Sequence, residues 1–282
     1  MKALSFEPSP ALKPFIRTFM SLQGHFHPAP QQHITPKGEP ALFFPFRAPA
    51  RFGQFVITDK IRANITNDID QGMLLGQSNT YALGNWQGWV NLIIVPLQPV
   101  GLQHFLKETS AVMTNSIFTL GSMNMPAYFQ ELQDQLWEVE HPAIAKNLVE
   151  KYLLKHFYPV LSGLERNSIA DITNWINYHS GVFPVTDLMK KFKVSRRRLE
   201  QQFATQVGLS PKDFSRVIRF RSVIRQMHLQ PEISWMRMVA DFNYTDQSHL
   251  IRDFRQFAGV TPTVLFEEKS VFEQLAYKNA FM

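Results

Sequence analysis

Two short stretches hold the side chains best suited to chemistry. In one, Ser195 is followed by Arg196, Arg197, Arg198, Glu200 and Gln201. In the other, Asp246 is followed by Gln247, Ser248, His249, Arg252 and Arg255. None of these sets resembles a nucleophile with its base. They are the hydrogen-bonding types that read base edges: Arg takes guanine's two acceptors, Gln suits adenine, and Glu accepts from cytosine. Helical periodicity sorts them. Leu199 and Phe203 lie one turn apart and face inward, which leaves Arg197 and Gln201 opposite. In the second stretch Leu250, Phe254 and Phe257 make the core face, with Ser248, Arg252 and Arg255 opposite and Gln247 and His249 near the helix start. The pattern assigns Arg196, Arg197, Glu200 and Gln201 to base edges, and Gln247, Ser248, His249 and Arg252 to bases or phosphates. Ser195, Arg198, Arg225 and Arg255 are candidate phosphate contacts.

The elements that must position these residues are two helix-turn-helix units, Val185–Pro211 and Trp235–Pro262. Each has a short apolar helix, a tight turn, a polar capping residue and a longer basic helix, then a Gly and a Pro. Ser195 and Asp246 are the candidate N-caps, because a short side-chain oxygen accepts from free N–H groups of the next turn. Gly208 and Gly259 close the longer helices where a left-handed residue is wanted. Between the units, Pro211–Leu229 reads as one connecting helix. Its Arg219 and Arg221 are expected to be structural or phosphate-bound, since a connecting helix lies across a groove rather than in it. Two units in tandem predict contact with two successive major grooves of double-stranded DNA.

Charge supports a polyanionic partner. Residues 1–164 hold 12 basic and 11 acidic residues, whereas residues 165–282 hold 17 and 12. Lys190 to Arg225 alone carries 11 basic residues against 2 acidic ones, so the positive field centres on the first unit and the connecting helix.

Other chemistries find little support. With no cysteine, disulfides, thiolate nucleophiles and cysteine zinc sites are excluded. His25, His27 and His33 form an H-x-H-containing group, but Glu39 is the only acid nearby and no fourth ligand is evident. No metal site, cofactor or catalytic residue is therefore expected, and a metalloenzyme fused to a DNA-binding tail is the weakest reading. The N-terminus carries acid and prolines without a continuous apolar region, so it is not a signal peptide. No apolar run reaches the roughly 18 residues of a membrane span. A cytoplasmic location and no membrane partner are expected.

Residues 1–120 read as β-rich, with short apolar runs such as ALFFPF, RFGQFVIT and NLIIVPL between Pro, Gly and Asn punctuation. Prolines 40, 45, 49 and 96 predict short or edge strands, and a small barrel or sandwich is the natural class. Most aromatics there belong to a core. Phe44, Trp86 and Trp89 are candidate lining for an apolar ligand pocket. A short helix follows Pro99, two longer helices start at Pro126 and Pro142, and residues 158–167 read as a linker.

In the second unit Val239-Ala240, Phe242, Asp246-Gln247-Ser248-His249, Arg252, Phe254 and Gly259-Val260-Thr261-Pro262 resemble the signature of the AraC/XylS family of bacterial transcription regulators. In the first, Leu188, Ser195, Leu199, Phe203, Gly208-Leu209-Ser210-Pro211, Phe214 and Arg219 fall on the same pattern. The resemblance covers about a third of the chain. Asn243 stands where the family usually has Gly, and Asn is the next best residue for a left-handed turn. Met189 replaces a usual small residue. The resemblance implies two three-helix subdomains joined by a long helix, promoter binding, and usually activation through RNA polymerase. It also implies self-association as a homodimer. The run LIIVPLQPVGLQHFLKETSAVMTNSIFTL is similar to the sensor domain of one subgroup, a cupin-like barrel. The expected fold is therefore α+β, with a β-rich sensor or dimerisation domain over 1–160 and a double helix-turn-helix domain over 167–267. A small-molecule effector would act on the first domain; in the alternative, that domain only dimerises or binds a protein partner.

Overall fold

A computed structural model describes residues 2–26, 32–47, 55–56, 62–64, 72–84, 88–106, 109–123, 128–161, 168–230, 232 and 234–267. The class is α+β: a β-rich N-terminal part carrying three helices, followed by an all-helical C-terminal part.

Strands β1 (Lys2–Phe6), β2 (Phe19–Phe26), β4 (Ala41–Pro45), β6 (Arg62–Asn64), β7 (Met73–Leu75), β9 (Gly88–Pro96) and β10 (Ser116–Thr119) form one sheet in the order β1-β2-β9-β4-β7-β10-β6. Strands β3 (Gln32–Ile34), β5 (Phe55–Val56) and β8 (Ala82–Gly84) form a second sheet in the order β3-β8-β5. Among the described residues the large sheet does not close into the expected barrel. Its end strands β1 and β6 are not paired with one another.

Alternation along the central strands builds two cores. Leu42 and Phe44 of β4 and Ile93 and Val95 of β9 point to a large cluster under α1 (Gly101–Leu106), α2 (Tyr128–Trp137) and α3 (Pro142–Leu161). Ala41, Phe43, Val90 and Leu92 point the other way, towards Ala82 of the small sheet. A period of two with both faces covered gives the continuous apolar runs of these strands. Pro45 ends a short strand, as expected, whereas Pro96 ends a nine-residue one. Pro45 and Pro96 end β4 and β9, which are central strands rather than edges. At a strand end the missing N–H costs no ladder bond.

The C-terminal part holds α4 (Ser168–Tyr178), α5 (Val185–Phe192), α6 (Arg196–Gln206), α7 (Pro211–Leu229), α8 (Trp235–Asp241), α9 (Gln247–Phe257) and α10 (Pro262–Glu267). Helix α7 belongs to two cores at once. Phe214 and Ile218, four residues apart, join Leu188, Leu199 and Phe203 of the first unit. Val217, Phe220, Ile224 and Met227 join Met238, Leu250, Phe254 and Phe257 of the second. Two apolar stripes on one helix thus anchor both units to a single rod. Each fully buried side chain of this size contributes about 1.5–3 kcal/mol.

Candidate nucleic-acid interface

Helix α6 starts at Ser195, whose backbone is extended and whose Oγ accepts from the Arg198 N–H at 3.4 Å. Helix α9 starts at Asp246, whose Oδ1 accepts from the His249 N–H at 2.7 Å. The shorter bond goes to a carboxylate, and its charge also faces the positive end of the helix dipole. Both glycine turns adopt the left-handed region, with φ +92° at Gly208 and +79° at Gly259. Asn243 takes φ +51°, as its place in the turn requires, and Lys193 takes +49° in the first unit.

The two units superimpose residue by residue at the level of sequence. Leu199 and Phe203 stand four and eight residues after Ser195, as Leu250 and Phe254 stand after Asp246. Gly208 and Gly259 each fall thirteen residues after their cap. All four of these apolar side chains are buried at 1% exposure or less. Arg196, Arg197, Arg198, Glu200 and Gln201 are exposed on α6, with Arg197 and Gln201 opposite the core pair, and Gln247, Ser248 and Arg252 are exposed on α9, with Ser248 and Arg252 opposite theirs. His249 is half-buried: its ring packs on Tyr244 and lies 3.4 Å from the Thr245 hydroxyl. Burial lowers its pKa, the cations Arg219, Arg252 and Arg216 add to that, and Asp253 opposes it. Arg196 Nε lies 3.0 Å from Glu200 Oε1 in an exposed pair one turn apart. Such a pair is worth about 0.3–0.5 kcal/mol, so it orients the arginine without withholding it from a stronger acceptor.

The arginines of α7 divide by role. Arg216 and Arg219 reach α9 and hold Asp253, at 2.6 Å and 3.3 Å. Asp253 is completely buried. Arg219 also stacks on the Tyr244 ring at 4.1 Å. Burial, then the Asp253 carboxylate, pushes the Tyr244 phenol well above its ordinary range, so it stays protonated. Arg221 donates to the Lys37 carbonyl at 2.8 Å and to Asn177 Oδ1 at 2.7 Å. Arg219 and Arg221 are thus structural here, while Arg225 is exposed. Asp253 is the residue that periodicity should have flagged. It lies three residues after Leu250 and four before Phe257, on the core face, where an acid needs a partner.

The N-terminal part docks on both units at their glycine turns. The 3-10 turn Ser110–Met113 lies against the end of α6. Ser110 donates to the Gln206 carbonyl at 2.9 Å, and Thr114 donates to the Gly208 carbonyl at 2.5 Å. A Cβ on Gly208 would sit 2.8 Å from the Ser110 carbonyl oxygen. The Tyr81 ring packs on Gly259 as closely, and Thr80 donates to the Gln256 carbonyl at 3.4 Å. Val100 completes the apolar core of the first unit. No local pattern announces these contacts.

Phe44 is fully buried opposite Ile93, whereas Trp89 lies farther along β9, 62% exposed and stacked edge-on against His25. Phe44 and Trp89 therefore do not line one pocket, and Trp86 lies outside the described residues. His25 and His33 stand in different sheets, His33 beside Tyr81, and His27 lies outside the described residues. No group of three or more metal-ligating side chains occurs among the described residues. No described helix is long and apolar enough to cross a membrane.

Paired, capped, exposed reading helices on one connecting rod define the tandem helix-turn-helix class of DNA-binding transcription regulator. A family model described as "Helix-turn-helix domain" matches residues 188–268, and one described as "Domain of unknown function (DUF6597)" matches residues 4–119. No curated protein matches the chain. Among solved structures, ToxT from Vibrio cholerae O395 aligns with TM-score 0.50 and 13% identity, over 90% of this chain and 99% of that one. An apo single-substitution variant of ToxT from V. cholerae strain SCE256 aligns with TM-score 0.50 and 10% identity, over 92% and 98%. At such identities the likeness concerns the fold. Residues 188–268 thus carry a helix-turn-helix domain of the kind that family model describes.

Proposed function

We propose that this regulator binds promoter DNA sequence-specifically, with α6 and α9 in successive major grooves, and activates transcription through RNA polymerase. Arg196, Arg197, Glu200 and Gln201 read bases from the first unit. Gln247, Ser248, His249 and Arg252 complete the site from the second. Ser195, Arg198 and Arg225 hold phosphates, the first through the open N-terminus of α6. Arg255, also expected on a phosphate, is exposed at the other end of α9, beside Asn79 and Thr80. The protein works in the cytoplasm as a homodimer. Residues 1–160 serve as the sensing and self-associating domain, and residues 167–267 as the DNA-binding domain. A small-molecule effector biases the docking of the first on the second.

The observation that carries this reading is the equivalence of α6 and α9. Both have a capped start, a two-residue apolar anchor and an exposed polar face, set on opposite sides of α7. Selection of bound duplex from a random pool, with and without cell extract, tests it. The expected product is an enriched site with two segments about one helical turn, ~34 Å, apart. Recovery of unenriched DNA under low salt would contradict sequence-specific reading.

A further inference from the structure

Where the N-terminal part meets α9, the contact leaves a cleft of about 590 Å³. It is lined by Asn79, Thr80, Asn115, Arg255 and Gln256. The volume lies within the range of small-molecule sites, roughly 300–1,000 Å³. The lining does not: no apolar side chain is among the five. An apolar ligand would gain nothing there and would strip water from amides and a guanidinium.

Four of the five side chains are already fixed. Asn115 accepts from the Asn79 N–H at 3.0 Å and from the Ser78 hydroxyl at 3.0 Å, and donates to Asn79 Oδ1 at 2.9 Å. Gln256 accepts from Arg216 at 2.8 Å and donates to the Asn79 carbonyl at 3.4 Å. Thr80 is tied to the Gln256 carbonyl. Asn115 holds its corner in the left-handed region, at φ +53°. Arg255 is the exception. Its side chain is exposed and has no hydrogen bond or ion pair with any described residue. It is also the only charge among the described lining residues.

We infer that this cleft binds a small hydrophilic oxyanion, a carboxylate or a phosphate ester, with its acidic group on Arg255 and its polar body against the carboxamides. The guanidinium fork matches either anion bidentately, and the fixed amides present their remaining donors and acceptors without further ordering cost. One wall belongs to the N-terminal part and the other to the last turn of α9. A ligand that touches both walls adds its differential affinity to the docked arrangement. This identifies a chemical class and a place for the effector in the functional reading above. Binding itself is measured without DNA, so a failure here leaves the DNA reading standing, and the converse also holds.

The test is thermal unfolding of the full chain titrated with inorganic phosphate and, separately, with citrate, against sodium chloride at matched ionic strength. The expected result is a saturable rise in Tm with at least one probe. Response to phosphate alone indicates a phosphate ester, and response to citrate alone a carboxylate. Arg255→Met abolishes the rise, while Arg225→Met, which removes the same charge elsewhere, retains it. Asn79→Asp, which places a like charge in the cleft, weakens the apparent affinity about tenfold or more. The proposal is overturned if neither probe gives a saturable rise, or if the rise persists unchanged in Arg255→Met.

Discussion

The two helix-turn-helix units share a frame and differ in how they use it. Counted from their caps, Arg197 corresponds to Ser248, Gln201 to Arg252, Arg196 to Gln247, Arg198 to His249 and Glu200 to Ile251. The first unit, residues 185–211, carries six basic and two acidic residues, and the second, residues 235–262, carries three of each. The first therefore carries the stronger positive field, and under the proposed function it is the stronger anchor and the richer reader. Inside, the contrast reverses. The first unit meets α7 through apolar side chains, with Phe203 edge-on against Phe214. The second adds a buried carboxylate, Asp253, clamped by Arg216 and Arg219. Where the first unit has Gln202, half-buried and uncharged, the second has that acid. A buried ion pair is weak evidence for added stability, but it tolerates only one arrangement of its partners. The second unit has its angle on the rod specified polarly. The first carries the denser exposed positive charge.

Four sets of substitutions break or sharpen this contrast, in order of falling effect. Asp253→Ala removes the carboxylate that Arg216 and Arg219 share, leaving Arg216 with Gln256 and the more distant Asp213 and Arg219 on the Tyr244 ring, and should cost about 3 kcal/mol of stability. Urea unfolding measures it, and a loss below about 1 kcal/mol would remove the clamp from the account. Arg197→Ala and Gln201→Ala should each cost about 1–3 kcal/mol of binding and relax preference at one position. Ser248→Ala should cost less in the same fluorescence titration; parity between the units would erase the asymmetry. Removing a cap comes next: Asp246→Ala should destabilise by about 1 kcal/mol and Ser195→Ala by less, since the Asp246 bond is shorter and charge-assisted. Calorimetry that reverses this order would count against the cap geometry. The smallest effect concerns pH. The folded-state pKa of His249 is lowered, mainly by burial, so the unfolded chain takes up that proton first as pH falls below about 6.5. Stability from this site is whole above that pH and is lost as pH drops towards the depressed folded value. His249→Gln should flatten that part of the stability profile, and an unchanged slope would exclude His249 as its source.

Much of the DNA-binding half is legible in sequence because its signals are local. The caps Ser195 and Asp246, the turn residues Gly208, Gly259 and Asn243, and the connecting helix Pro211–Leu229 all follow from neighbours within one or two turns. Asp253 is legible in principle, as an acid on an apolar face, although its partners lie on another helix. The N-terminal half is less so. Its strands are short, and their pairing joins residues far apart in the chain, as in Phe44 with Ile93. Whether such a sheet closes depends on register and twist that alternation alone does not encode. The docking contacts are the least legible. Ser110, Thr114, Thr80 and Tyr81 have no local oddity, and their meaning comes only from Gly208 and Gly259, whose missing Cβ lets them approach. A glycine that ends a helix explains itself, so the sequence holds no further reason to suspect a second use.

In the proposed function both units read DNA, and the first reads more of it. Selection from a random duplex pool with Arg197→Ala/Gln201→Ala and, separately, with Ser248→Ala/Arg252→Ala tests it most directly. The first pair of substitutions should erase most of the base preference in one segment of the site and much of the affinity. The second pair should blur the other segment, about one helical turn away, with a smaller loss. Identical enriched sites from the wild type and from the Arg197→Ala/Gln201→Ala variant would contradict it.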